Sequence, residues 1–471
     1  MSELIPVRQM DPSHPSDKIY VRDTEGLYQR IRAFSLWALM GLYFGAVWIN
    51  VNGQQIVHFD LPARQFHLFG ATFWPQDFFL LSLMLLICAF GLCFITSLVG
   101  RVWCGYTCPQ TAWTFVFMWL EEKVEGSRNQ RIKLDRRGPT LNRLRKKSLK
   151  HGLWLLVALG TGVTFIGYFY PIRELVPDLA TFSMSNGWAG FFIGFFTLAT
   201  YLNAGWMREK VCLHMCPYAR FQSAMFDEDT FTVCYDGPRG EPRGPRKKNS
   251  DQRTQGLGDC VDCGICVQVC PTGIDIRQGL QYECINCGLC VDACNQVMDR
   301  MDYPRGLIRY TSANALNGLA SGWLRPRVLI YGASLILMAT LVVVLASTRP
   351  ALYLEVMRDR GGLYQTGPGE LIENTYNLKL TNRSPQRETF DLRVAGPEGT
   401  RLLQSLQVTL DSGQNRTVPA VVQIPASKIS ASRSDLTFTA SSQDNPALGI
   451  STDSTFFGPA PRPGSPSRNA P

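Results

Sequence analysis

The chain has 471 residues, 45% of them apolar and 18% charged, with 15 cysteines and a formal net charge of +9. That length accommodates about three domains. No basic–aromatic stripe accompanies the positive surplus, which argues against nucleic acid as a partner.

Residues 1–32 are polar and hold no short apolar core with a cleavage site, so the first apolar stretch is expected to be a retained anchor. Residues 33–226 read as a membrane domain. Four stretches within it (33–50, 78–100, 152–172 and 187–207) and a fifth at 328–348 lack Asp, Glu, Lys and Arg. Each is long enough to cross a bilayer as a helix. The loop 60–77 has one basic residue, Arg64, and 173–186 has only Arg173, whereas 123–150 carries eleven. Lys/Arg-rich loops stay cytoplasmic. The N-terminus and the segments after the second and fourth spans are therefore expected inside the cell, and the tail after 348 outside, in a bacterium the periplasm. The basic loop can lie against anionic lipid. With no ionisable residue or histidine in the spans, an ion path or an intramembrane haem pair is not expected.

After the second span comes Cys104-Gly-Tyr-Thr-Cys108-Pro109, and after the fourth Cys212-Leu-His-Met-Cys216-Pro217. The membrane part thus reads as an internal duplication, with two helices and one CxxxCP motif used twice. Repeated halves tend to build their site where they meet. The apolar segment 102–120 is read as an interfacial or re-entrant piece, because a sixth crossing would put the basic loop outside. Its counterpart is expected around 221–226. If the CxxxC turn is helical, its two sulfurs share a face. Four thiols from two repeats form a soft-ligand site suited to Cu(I), zinc or iron–sulfur species, and His214 and Met215 extend the set of candidate copper ligands. Cys88 and Cys93, inside an apolar span, read as small buried hydrophobes, and Cys234 has no assigned role.

Residues 227–258 are rich in Gly, Pro, Arg and Lys and read as a linker. The cluster domain, 259–310, holds Cys260-x2-Cys263-x2-Cys266-x3-Cys270-Pro271 and then Cys284-x2-Cys287-x2-Cys290-x3-Cys294. This is the two-cluster iron–sulfur run, in which the fourth cysteine of each half serves the other cluster. Cys260, Cys263, Cys266 and Cys294 are therefore assigned to one 4Fe–4S cluster, and Cys284, Cys287, Cys290 and Cys270 to the second. Asn295 stands where the second run would have its proline. Structural zinc would favour well-separated CxxC pairs rather than this tandem x2-x2-x3 spacing. Beyond the fifth span, residues 351–460 alternate polar and apolar residues between turn signals. They read as an immunoglobulin-like β-sandwich without a disulfide, followed by a disordered tail, 461–471.

The expected fold is therefore a membrane α-helical bundle of five spans in two repeated hairpins, with an inserted two-cluster ferredoxin-like α+β domain and a C-terminal all-β sandwich. This order of parts resembles the FixG/CcoG/RdxA family of cytochrome c oxidase accessory proteins, from Tyr43 to about Pro459. The shared stretches are 100–109, 212–217, 237–240, the cluster run and 303–310. The resemblance implies a bacterial inner-membrane protein that reduces Cu(II) to Cu(I) during assembly of the cbb3-type oxidase. It implies that the eight ferredoxin cysteines hold clusters, and that Cys104, Cys108, Cys212 and Cys216 match the membrane-edge thiol motifs. The partners expected are the membrane, copper ions, a cytoplasmic electron donor, and oxidase assembly factors or a copper transporter, with a homodimer left open. Two other roles compete. One is an electron relay between membrane quinone and a redox partner, since ferredoxins of nitrate respiration share the doubled motif. The other is a non-catalytic copper chaperone or scaffold.

Overall fold

The computed structural model describes residues 18–459 apart from 52, 182–186, 249–255, 349, 360, 385, 430, 446 and 447. The expected disordered tail, 461–471, lies outside the described residues. The chain divides into two compact units, residues 1–343 and 344–471.

In the first unit, α1 (Leu27–Ala46) leads through β1 (Asn50–Val51) and β2 (Gln54–Gln55) to an antiparallel sheet of β3 (Val57–Asp60), β4 (Gln65–Leu68) and β5 (Ala71–Phe73). Then come α2 (Phe78–Val99), α3 (Val102–Tyr106), α4 (Pro109–Glu125), α5 (Arg128–Arg136), α6 (Leu141–Gly167), α7 (Ile172–Ala180) and α8 (Gly187–Thr200). A π-helical segment, Tyr201–Met207, extends α8, and a second, Val211–Met215, precedes α9 (Pro217–Ser223).

All five expected spans contain helix, and among the described residues three helices are long and apolar enough to cross a membrane: α2, α6 and α14 (Pro326–Ser347). Of the other two, α1 carries Arg30 and Arg32, and α8 has 14 residues before its π-helical extension. The apolar windows of α2 and α14 are 6% buried within the protein, against 39% for α6. Apolar helices left this bare require an apolar solvent, whereas α6 is the central one. It packs closely on α8 because Gly162 has no side chain: a Cβ there would lie 2.7 Å from the Ile193 carbonyl oxygen. Small residues allow such backbone approach between apolar helices.

The two ends of these helices differ. At one, Gln55 donates to the Gly167 carbonyl at 2.9 Å and accepts from the Ile172 amide at 2.8 Å, tying the small sheet to α6 and α7. At the other lie α3, α9 and the cysteine-rich domain. The segment 102–120 is two helices that break at Thr107–Cys108. Of these, α4 packs into the bundle, with Phe117 fully buried and its ring centroid 5.3 Å from that of Trp154.

The cysteine-rich domain is built on an antiparallel pair, β6 (Thr232–Tyr235) with β7 (Ile308–Thr311). Between them lie α10 (Gly237–Gly240), α11 (Ile265–Gln268) and α12 (Leu289–Met301), and α13 (Ala313–Leu316) follows β7. This corrects the reading of 227–258 as a linker. The run Thr-Val-Cys-Tyr has strand-forming residues and supplies the partner of β7. The Gly/Pro-rich part forms tight turns held to the domain. Asp236 caps α10, Arg239 pairs with Asp259 at 2.6 Å, and the Gly258 amide donates to the Pro242 carbonyl at 2.9 Å.

The second unit is a two-sheet sandwich. One sheet has the order β12 (Arg401–Leu402), β14 (Asn415–Pro425), β10 (Leu371–Asn382), β8 (Leu352–Arg358), with β9 (Gln365–Gly367) also on β10. The other runs β13 (Leu406–Leu410), β11 (Glu388–Ala395), β15 (Arg433–Ser442), β16 (Gly449–Phe457). Alternate residues of β10, β11 and β15 point inward, so Tyr376, Leu378, Phe390 and Phe438 form a fully buried core. Each such side chain contributes about 1.5–3 kcal/mol by leaving water, which explains why the sandwich stands without a disulfide.

Candidate redox site

The doubled cysteine run folds as a doubled loop. In each half, the residue before the second cysteine and the glycine after it adopt left-handed backbone: Asp262 and Gly264 at φ 50° and 64°, Asn286 and Gly288 at φ 56° and 72°. Asp, Asn and Gly are the residues that tolerate this conformation, which wraps the backbone around a hollow. Gly264 and Gly288 then open α11 and α12.

Two cavities result. Cys260, Cys263, Cys266 and Cys294 line one. Cys270, Cys284, Cys287 and Cys290 line the other, which Cys266 also borders. Each takes three cysteines from one run and a fourth from the other, and Cys294 takes its place without a following proline. Burial pushes the Cys266, Cys284 and Cys294 thiols up to about 12. Such sulfurs stay protonated unless a cation compensates the thiolate. The donor sets therefore fit 4Fe–4S clusters. Among the described residues, no three His, Cys, Asp or Glu side chains converge closely enough for a single metal ion.

The CxxxCP motifs match each other in detail. The Cys108 amide donates to the Trp103 carbonyl and the Cys216 amide to the Val211 carbonyl, five residues back and at 2.9 Å in both. Cys108 and Cys216 then cap helices that begin with Pro109 and Pro217, where a missing N–H costs nothing. The repeats meet where the Cys104 thiol donates to the Gln222 Oε1 of α9 at 3.3 Å. Burial, with the neighbouring thiols, pushes Cys104 and Cys212 up to about 12. All four sulfurs contribute to that field, so they lie within electrostatic reach of one another without forming a single-ion cage. His214 and Met215, by contrast, are exposed.

The first thiol motif is pressed onto the second cavity. Cys104 packs with Ile285, Cys287 and Leu289. A Cβ on Gly105 would lie 2.8 Å from the Ile285 oxygen and 3.0 Å from the Cys287 Cα. The Tyr106 hydroxyl donates to the Cys287 carbonyl at 3.0 Å. Asn286 receives the Val233 amide at 2.7 Å and donates to the Val99 carbonyl at 2.9 Å, riveting cluster loop, strand and α2. From the second repeat, Cys212 shares a narrow crevice with Pro271 and Thr272, next to Cys270. Gly105→Ala should therefore lower the melting temperature, because overpacking rigid backbone costs about 1–3 kcal/mol. Gly160→Ala, whose Cβ would find only the Phe44 ring at 3.8 Å, should not.

The sequence reading missed a buried ion network beside this site. Glu121 and Glu125 of α4 are 0% and 1% exposed. Glu121 receives Arg208 at 2.7 Å and Lys18 at 2.8 Å, with Lys150 at 3.7 Å and Arg131 at 3.8 Å, while Lys150 and Lys147 reach Glu125 at 2.9 and 3.0 Å. Burial alone would raise the Glu121 pKa, but Arg208 and Lys18 outweigh it and hold the carboxyl well below the usual range. Glu121 and Glu125 four residues apart, facing the 123–150 basic loop, were the available signal.

Paired cysteine-lined cavities in a doubled loop, joined to apolar helices and an immunoglobulin-like sandwich, define a membrane-type polyferredoxin. The family model of a 4Fe-4S dicluster domain matches residues 207–313, that of a 4Fe-4S binding domain matches 81–125, and that of the IG-like fold at the C-terminal of FixG matches 342–459. The chain is 36% identical to nitrogen fixation protein FixG of Rhizobium meliloti, over 84% of this chain and 82% of that one. It is 35% identical to protein RdxA of Cereibacter sphaeroides, over 82% and 84%, and 37% identical to RdxB of the same organism, over 80% and 82%. It belongs to the FixG family of 4Fe–4S electron-transfer proteins.

Proposed function

We propose that the chain is an inner-membrane cupric reductase that supplies Cu(I) for assembly of a cbb3-type cytochrome oxidase. In this reading Cys260, Cys263, Cys266 and Cys294 hold one cluster, and Cys270, Cys284, Cys287 and Cys290 the other. Bound 4Fe–4S clusters supply one-electron redox chemistry. The observation that carries the reading is the packing of Cys104 and Gly105 directly on the Ile285–Cys287 loop. It brings the first thiol motif against the backbone that lines the second cluster cavity.

Cys104, Cys108, Cys212 and Cys216 bind the substrate, Cu(II), which takes one electron and leaves as Cu(I). Thiolate sulfur favours Cu(I) over Cu(II), which raises the potential of the copper couple and draws the electron downhill. Exposed His214 and Met215 guide the ion in or out. Five crossings alternate through the bilayer, with the cluster domain in the cytoplasm, where the Lys/Arg-rich 123–150 loop also lies, and the sandwich in the periplasm. That sandwich contacts the oxidase assembly machinery.

Anaerobic mixing tests this reading. Reduced protein should be reoxidised by Cu(II), with Cu(I) trapped by a chelator. Reoxidation by a quinone but not by Cu(II) would make the chain a quinone relay. Reoxidation by neither would leave a scaffold.

A further inference from the structure

The two cysteine-lined cavities sit in opposite electrostatic surroundings. Beside the second are two guanidinium groups, Arg32 and Arg101, each 3% exposed. Arg32 donates from Nε to the Gly105 carbonyl at 3.1 Å, and Gly105 rests on the Cys287 backbone. Arg101 donates to the Tyr282 carbonyl, two residues before Cys284, and to the Ala219 carbonyl of α9. Its guanidinium lies 4.8 Å from the centre of the Tyr282 ring. Among the described residues, no carboxylate pairs with either arginine; their partners are backbone carbonyls. Burial pushes the Cys284 and Cys287 thiols up, and the cations that oppose it are Arg101 at Cys284 and Arg32 at Cys287. Glu283 is also buried on that loop, but the leading charges at these two thiols are the arginines and other cysteines. Arg101 opposes burial at Cys104 and Cys212 too, so its charge reaches the second cavity and the thiol motifs alike.

At the first cavity the cation is cancelled. Arg277 lines it, but meets Asp275 at 2.7 Å through Nη2 and Asp262 through Nη1. One guanidinium between two carboxylates leaves that rim net negative. Asp292 of α12 lies between Cys290 of one site and Cys294 of the other, so it weighs on both, and it accepts the Tyr28 and Gln29 amides. Cys263 of the first site is exposed, whereas Cys287 of the second is buried.

A 4Fe–4S cluster gains one negative charge when it takes an electron, and the charge around it is one of the levers on its potential. A cation held out of water acts more strongly than one at the surface. We propose that Arg32 and Arg101 set the second cluster site at a higher reduction potential than the first, so that electrons run one way, from the exposed site toward the thiols. The step moves one electron: the reduced first cluster is oxidised, the second is reduced, and no bond or proton changes hands. A low-potential one-electron reductant must supply the first cluster. Neither arginine touches the substrate; both act through the second site. The proposal rests on the reading of the chain as an electron carrier and adds the direction of transfer.

The test is a redox titration of the full-length protein by electron paramagnetic resonance, without copper. Each signal is assigned to its site by the one lost in Cys263→Ser. In the wild type the second cluster should be reduced first. Arg101→Gln and Arg32→Gln should each shift the reduced-to-oxidised ratio of the second cluster at least tenfold toward oxidised at a fixed ambient potential, about 59 mV for one electron. The first cluster should titrate as before. Arg101→Lys and Arg32→Lys, which keep the charge and lose the planar fork, should restore most of the shift. A second cluster that titrates at or below the first in the wild type overturns the proposal, whether or not every variant folds. So do glutamine variants with unmoved midpoints, or lysine variants displaced as far as the glutamine ones, which would make the arginines merely structural. Clusters ordered in this way that Cu(II) does not reoxidise would retire copper as the acceptor and leave the direction of transfer standing.

Discussion

Replacing Cys104 and Cys212 together by serine should abolish reduction of Cu(II), while iron–sulfur absorbance stays at its wild-type value. Both thiols are the first of their motif, and both lie beside the loops of the second cluster cavity: Cys104 packs on the group that contains Ile285, Cys287 and Leu289, and Cys212 shares a crevice with Pro271 and Thr272. Serine keeps the size of the side chain and its hydrogen bond to Gln222. It lacks the soft sulfur that favours Cu(I), so the substrate is lost and the fold is not. Rapid-mixing absorbance with a Cu(I) chelator reads both quantities in one experiment. The opposite result has a defined meaning, because residues 81–125 match a 4Fe-4S binding domain. Should the double variant lose cluster absorbance, Cys104 and Cys108 belong to a cluster rather than to a copper site.

The second large effect is expected from Glu121→Gln, a change of charge with almost no change of shape. The substitution leaves Arg208, Arg131 and Lys150 facing a neutral amide in a buried site. Stranding buried charge costs about 3–5 kcal/mol, so the variant should melt well below wild type. Glu398→Gln removes the partner of Lys428 at the surface of the second unit and should leave the melting temperature unchanged, since exposed pairs contribute little.

The same network fixes a pH dependence. For Asp135, burial alone would raise the pKa, but Lys147 and Tyr20 hold it down at about 2. The carboxylates of Glu121 and Asp135 thus have folded values below their unfolded ones, and their stabilisation is present above the unfolded range. It is lost as pH falls from about 4.5 toward 2. Thermal melts across that window should show a steep acid limb, shallower in Glu121→Gln.

Much of the site was legible because cysteine spacing is a strict code. The x2-x2-x3 runs announced two clusters, and the duplicated CxxxCP announced two matched turns, since proline at a helix start leaves a local signature. The junction between them was not legible. That Gly105 lies on Ile285, that Asn286 ties Val99 to Val233, and that Arg208 seeks Glu121 are contacts between residues about 50 to 190 positions apart. No periodicity encodes them. The 227–258 stretch misled for a different reason: glycine and proline punctuate tight turns and flexible linkers alike, and only the pairing of β6 with β7 separates the two.

The most direct measurement is chemical analysis of protein isolated without oxygen, with electron paramagnetic resonance after reduction. The eight cysteines of the doubled run should bring about eight irons and eight acid-labile sulfides per chain, with two interacting reduced-cluster signals. A colourless protein with zinc in those cavities, or a single cluster per chain, would contradict the account.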